Sequence, residues 1–92
     1  MSAKSFCITF SSLFSTDELK TIFVEFGKVA EVNREEAMQG NTRGYKYIIH
    51  MESWTKSGEY FRNELLETGT YRCRYDHDDY GRPMYFICEP IP

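Results

Sequence analysis

The chain has no apolar run approaching the length of a membrane-spanning helix, about 20 residues, so no such helix is expected. It also lacks a Pro-, Gly- or Ser-rich linker, a low-complexity tract and an internal repeat, which leaves no place to divide its 92 residues. One domain over residues 1–92 is the expectation, with a modest core, because a chain of this size buries roughly 60–65% of its unfolded surface. Cysteine is scarce. Cys7, Cys73 and Cys88 are odd in number, far apart and without C-x-x-C spacing, which argues against a disulfide framework or a zinc site. The opening MSAKSFCITF lacks the longer apolar stretch and small-residue cleavage site of a secretory signal, so an intracellular location, nucleus or cytoplasm, is expected rather than secretion. No Gly-rich phosphate loop or nucleophile elbow is present, and neither an enzyme nor a cofactor is expected.

A positive balance is missing too. Eleven Lys and Arg against fourteen Asp and Glu give a net charge of -3, which argues against gripping nucleic acid by bulk electrostatics. The signs are unevenly distributed, however. Asp17, Glu18, Glu25, Glu59, Glu64 and Glu67 fall in two segments with helical patterning, whereas Arg34, Arg43, Lys46, Arg72, Arg74 and Arg82 fall in strand or hairpin segments. Two readings are open: a basic sheet face backed by acidic helices, or ordinary solvated charges.

What the chain does have is apolar and aromatic residues spread along its length, 41% and 16%, the composition of a compact globule. Phe6, Ile8 and Phe10 alternate with Cys7 and Thr9 as a strand would, which places the first three in the core. In FSTDEL, Ser15 and Glu18 have capping-box spacing, with Phe14 and Leu19 as a hydrophobic staple. Leu19, Ile22, Phe23 and Phe26 then form one apolar helical stripe ending at Gly27. Val29 and Val32 open a second strand, and QGNTRG returns the chain into RGYKYIIHM, which makes a hairpin. Ser53 can cap a second helix in which Trp54, Phe61 and Leu65 share a face, small Ser57 and Gly58 permit close approach, and Gly69 ends the run. YRCRY and PMYFICE flank DHDDYGR as a further hairpin. The expected fold is α+β, a ferredoxin-like β-α-β-β-α-β sandwich. Its antiparallel sheet carries both helices on one face, an extra hairpin precedes the last strand, and the other face stays uncovered.

Over nearly its whole length the chain resembles the RNA recognition motif family, with degenerate RNA-binding motifs. DELKTIFVEFGKVAEV, Asp17 to Val32, looks like that family's first helix and its exit into the second strand, and RGYKYIIHMES looks like its octamer on the third strand. The resemblance implies that two octamer aromatics and one hexamer aromatic on the first strand project from the open face and stack on bases. Two registers of the octamer are open. With Arg43 and Gly44 as its opening pair, Tyr45 and Tyr47 are the stacking residues, but Lys46 and His50 then point into the core, and burying an unpaired Lys is costly. Shifted by one residue, Tyr45, Tyr47, Ile49 and Met51 are buried while Lys46, Ile48 and His50 face out. A β-bulge near Gly44 would combine the two, with Tyr45 exposed. On the first strand, reversed parity would expose Phe6; on the last, Tyr85 can supply an outward aromatic.

The favoured function is binding of single-stranded RNA through the open sheet. Tyr45 or Tyr47 and Tyr85 would stack, Arg43, Lys46, Arg72, Arg74 and Arg82 would meet phosphates, and His50 would sit at the rim. The alternative is a protein-protein interaction module on the same scaffold without strong RNA binding. A small ferredoxin-like enzyme such as an acylphosphatase is disfavoured, because SFCITFSSLF shows no phosphate-cradling loop with a catalytic Arg. His77 with Asp76, Asp78 and Asp79 reads as a solvated turn rather than a metal site, and the cysteines read as small buried hydrophobes.

Overall fold

The computed structural model of the chain describes residues 4–91. In chain order the elements are β1 (Ser5–Ser11), α1 (Thr16–Ile22), β2 (Gly27–Gln39), β3 (Thr42–Trp54), α2 (Lys56–Thr68), β4 (Tyr71–His77) and β5 (Pro83–Pro90). The strands form one five-stranded sheet in the order β2-β3-β1-β5-β4, with every neighbouring pair antiparallel. No helix among the described residues is long and apolar enough to cross a membrane.

The first helix starts as its sequence dictates. The Glu18 N–H donates to Ser15 Oγ and the Ser15 N–H to Glu18 Oε1, each at 3.1 Å, so two of the helix's orphan donors are satisfied reciprocally. It ends sooner than the apolar stripe suggests. Phe23 is the C-cap, and the chain then tightens into i to i+3 bonds, Phe26 N–H to Phe23 O at 3.0 Å and Gly27 N–H to Val24 O at 3.3 Å. The turn stacks Phe26 on Phe61, ring centroids 4.6 Å apart, so the stripe is buried although its second half is not helical. Gly27 is needed where β2 begins: its φ is +149, and a Cβ there would sit 2.0 Å from the Ser53 carbonyl oxygen.

The cap of the second helix is Thr55, not Ser53, which lies within β3 and pairs with Lys28. Thr55 Oγ1 accepts the Gly58 N–H at 3.1 Å and donates to the Glu25 carbonyl at 2.5 Å, while its own N–H reaches the Phe26 carbonyl at 3.0 Å. One threonine thereby starts α2 and ties it to the turn after α1. A serine cannot do this from β3, where its backbone belongs to the ladder.

Phe6 on β1 lies edge-on to Phe23 at 5.2 Å and to Phe61 at 5.0 Å, so both helices cover the same face of the sheet. Beneath them Ile8, Ile49, Phe86 and Cys88 of the sheet are fully buried, as is Leu19 of α1. Among the described residues the second face carries no helix. The β2–β3 pair is longer than expected, with 13 residues in each strand around a turn at Gly40 and Asn41; its tip, residues 37–39 against 42–44, projects past β1 as a two-stranded arm. Gly40, at φ +61, takes the first position of that turn, as a II′-type hairpin requires.

Candidate nucleic-acid interface

The register of β3 decides which side chains reach the uncovered face. Ile49 pairs with Phe6, Tyr47 with Ile8, and all of these lie in the core beside Met51. Alternation then sends Lys46, Ile48 and His50 to the open face, so the shifted register is the one adopted. The alternative would bury the Lys46 ammonium without a partner. The β2–β3 pairing runs without interruption from Glu31 and His50 to the turn, so Tyr45 falls on the helix side with Tyr47. Their rings are 6.4 Å apart, and the Arg34 guanidinium lies 5.1 Å from the Tyr45 ring centre. Neither tyrosine is a platform on the open face, which corrects the octamer alignment that starts at Arg43.

Tyr47 has a different task. Its ring is 1% exposed, and its hydroxyl accepts the Phe14 N–H at 2.7 Å and lies 3.3 Å from the carbonyls of Ser12 and Phe14, to one of which it donates. It thus pins the β1–α1 loop to β3. Tyr47→Phe leaves the loop's donor without its acceptor and is expected to lower stability by ~1–3 kcal/mol in urea denaturation. A change below about 0.5 kcal/mol would mean that water replaces the hydroxyl without penalty.

A bulge does occur, but in β1 rather than at Gly44. The pairing steps from Ile8–Tyr47 to Ser11–Tyr45, so Thr9 and Phe10 together oppose Lys46. Phe10 is thereby taken out of the core, where simple alternation places it, and its half-buried ring lies over Gly44. A Cβ on Gly44 would come within 2.4 Å of that ring, so glycine makes the seat for Phe10. This open-face aromatic is the residue that sequence reasoning missed. The available signal was the small Gly44 ahead of the octamer's alternation; the bulge itself has no local signature.

On β5, Tyr85 is 44% exposed and Ile87 is exposed beside it, opposite Arg74 and Arg72 of β4 respectively. Lys46, Phe10, Ile87 and Tyr85 with Arg72 and Arg74 therefore form one patch across β3, β1, β5 and β4. Among the described residues none of its three cations has an ion-pair partner. The opposite edge is acidic, with Glu31 and Glu35 on β2 facing the same way. His50 sits between, half-buried, with Nδ1 2.7 Å from Ser5 Oγ and Nε2 3.0 Å from Asn33 Nδ2.

The remaining candidates lie elsewhere. Arg43 pairs with Met38 on the helix side of the arm, away from the patch. Arg82 is engaged by Asp78 in the β4–β5 turn, Nε to Oδ2 at 2.9 Å, and its backbone N–H also reaches Oδ1 at 2.9 Å. Those bonds, with one from the Tyr80 N–H, hold the Asp78 carboxyl below its usual range, so Arg82 secures a turn. Among the described residues no group of three potential metal ligands converges. Burial pushes all three thiols up, Cys73 to about 11, the behaviour of packed hydrophobes rather than nucleophiles. Compared with known proteins, the chain matches no family model, no curated protein and no solved structure.

Proposed function

We propose that the chain is an RNA recognition motif-like domain that binds single-stranded RNA on its uncovered sheet face, with Phe10 and Tyr85 as stacking platforms and Lys46, Arg72 and Arg74 meeting phosphates. The observation that carries this reading is the coincidence, on the face that has no helix among the described residues, of two aromatics and three cations that make no ion pair with those residues. Base stacking and phosphate contact are the two terms that hold single strands on a sheet. A ferredoxin-like frame belongs to the same proposal: without β4 the strand order is β2-β3-β1-β5, and β4 is then an added edge strand that carries two of the cations. An intracellular setting, where RNA is met, belongs to it as well. The acidic β2 edge makes the binding directional, keeping the strand toward β5 and β4. Apolar Ile48 and Ile87, with Cys7 between their strands, favour the second reading, a protein-interaction module using the same face.

Titration of the 15N-labelled chain with a mixed-sequence single-stranded RNA at low salt tests it. Shifts are expected at Phe10, Lys46, Tyr85 and Ile87. Tyr85→Ala should weaken binding by ~1–3 kcal/mol, and Arg74→Ala should flatten the logarithmic salt dependence by ~0.7 for one lost phosphate contact. Both changes should leave the fold intact. Absence of any RNA-dependent shift on this face would reject the reading in favour of the protein module.

A further inference from the structure

On the helix side, where α1 meets the β4–β5 hairpin, a groove of about 610 Å³ opens that the RNA reading does not use. Phe14, Ile22, Tyr75 and Met84 make its apolar floor. The β4 register jumps between Arg74 and Asp76, so Asp76 pairs with Met84 on the groove side instead of following Arg72 and Arg74 to the open face, while Tyr75 turns its ring inward with Tyr71 and Cys73. That ring stacks on Phe86 at 4.1 Å and meets Phe14 edge-on at 5.4 Å, so the floor is built from rings packed on one another. Met84, 40% exposed, supplies an adaptable side of the groove. The rim is acidic: Asp17, Glu18 and Asp76 line it, and no lysine or arginine does. Glu18 is positioned by the capping box and Asp76 by the His77 N–H at 2.8 Å. The Asp17 carboxylate makes no ion pair or hydrogen bond among the described residues.

An exposed apolar floor ringed by three like charges is selective in two ways. It admits a bulky apolar side chain, since its volume falls within the ~300–1,000 Å³ range of ligand-sized clefts. It repels phosphates and attracts cations, which excludes the RNA proposed for the other face. We propose that this groove docks a peptide segment of a partner protein in which one aromatic side chain is flanked by lysine or arginine. The aromatic enters between Tyr75, Phe14 and Met84, and the flanking cations reach Asp17, Glu18 and Asp76. A second copy fits less well. Its most exposed aromatic, Tyr80, lies beside Arg82, but that guanidinium is held by Asp78, and Asp78 and Asp79 next to the ring are like charges to the rim; Met38 on its arm sits close to Glu35 and Glu36.

The test uses the full 92-residue chain and a fluorescein-labelled peptide of sequence Lys-Lys-Arg-Trp-Arg-Lys, with anisotropy for affinity and 15N shifts for location. Binding is expected with shifts in Thr16–Ile22, Tyr75, Asp76 and Met84. Replacing the peptide's tryptophan by alanine should cost about 30-fold or more, as anchors of interfaces do. Asp17→Asn and Asp76→Asn, both at exposed positions that leave the core untouched, should each weaken binding about 3-fold. Equal affinity for an analogue with glutamates in place of its cations would overturn the proposal. So would shifts confined to Glu31 and Glu35 on the open face, groove shifts produced by RNA, or groove shifts that grow with protein concentration alone, the mark of a second copy. The two faces are read separately, so failure here leaves the RNA reading standing.

Discussion

Phe61→Ala is expected to destabilise the domain by ~3–5 kcal/mol, the cost of removing a fully buried aromatic. Phe61 is completely buried, and its ring meets four others: Phe6 at 5.0 Å, Phe26 at 4.6 Å, Trp54 at 6.1 Å and Tyr71 at 4.7 Å. Those four come from β1, the turn after α1, the end of β3 and β4, so one truncation opens a cavity bounded by most of the fold. The neighbours are rings held by other rings and can collapse little, which puts the effect toward the upper end. Denaturant titration should show a lower midpoint with an unchanged slope. A loss within about 0.5 kcal/mol, the range of surface substitutions, would mean that α2 is not docked as described.

The second large effect is expected at Gly58, where helix propensity and tertiary packing give opposite signs. In an isolated helix, alanine is better than glycine by about 0.8–1 kcal/mol. Here a Cβ would lie 1.7 Å from the Phe26 carbonyl oxygen, a backbone atom fixed by the Thr55 N–H. Gly58→Ala must push α2 away from that turn, and overpacking of this kind costs ~1–3 kcal/mol. A net loss of stability is therefore expected. The comparison is Gly69→Ala, where nothing lies within 4 Å and only the left-handed φ of +79 opposes the change. That variant should lose ~1–2 kcal/mol through the backbone alone. If Gly58→Ala proved as stable as the parent, the close approach of α2 to the turn would be wrong.

Much of the frame is written in local patterns. Ser15 and Glu18 announce the start of α1, Leu19 its buried side, and Gly69 the end of α2, because each depends on atoms within a few residues along the chain. The order of strands and helices, and the burial of Phe6 and Ile8, follow from periodicity in the same way. The register of RGYKYIIHM is only half local: the cost of burying Lys46 alone speaks for Tyr47, Ile49 and Met51 as the core set, the opening Arg43-Gly44 pair speaks for the other register, and pairing with β1 decides between them.

Other features depend on partners far away in the sequence. Thr55 replaces Ser53 as a cap because β3 keeps pairing with β2 as far as Trp54, and only the assembled ladder shows where a strand stops donating to its neighbour. Phe10 reaches the open face through a bulge opposite Lys46, and Asp76 reaches the groove rim through a bulge opposite the step from Met84 to Tyr85; a single inserted residue changes facing without changing composition. Arg82 and Arg74 look alike in sequence, yet Asp78 holds one in a turn while the other makes no ion pair among the described residues. By itself, then, the sequence determined which residues want to be buried and in what order the elements come, since those are short-range consequences of side-chain size and charge. Which aromatics and cations share a face was decided only by the tertiary structure, because facing is set by cross-strand register, a relation between residues dozens of positions apart.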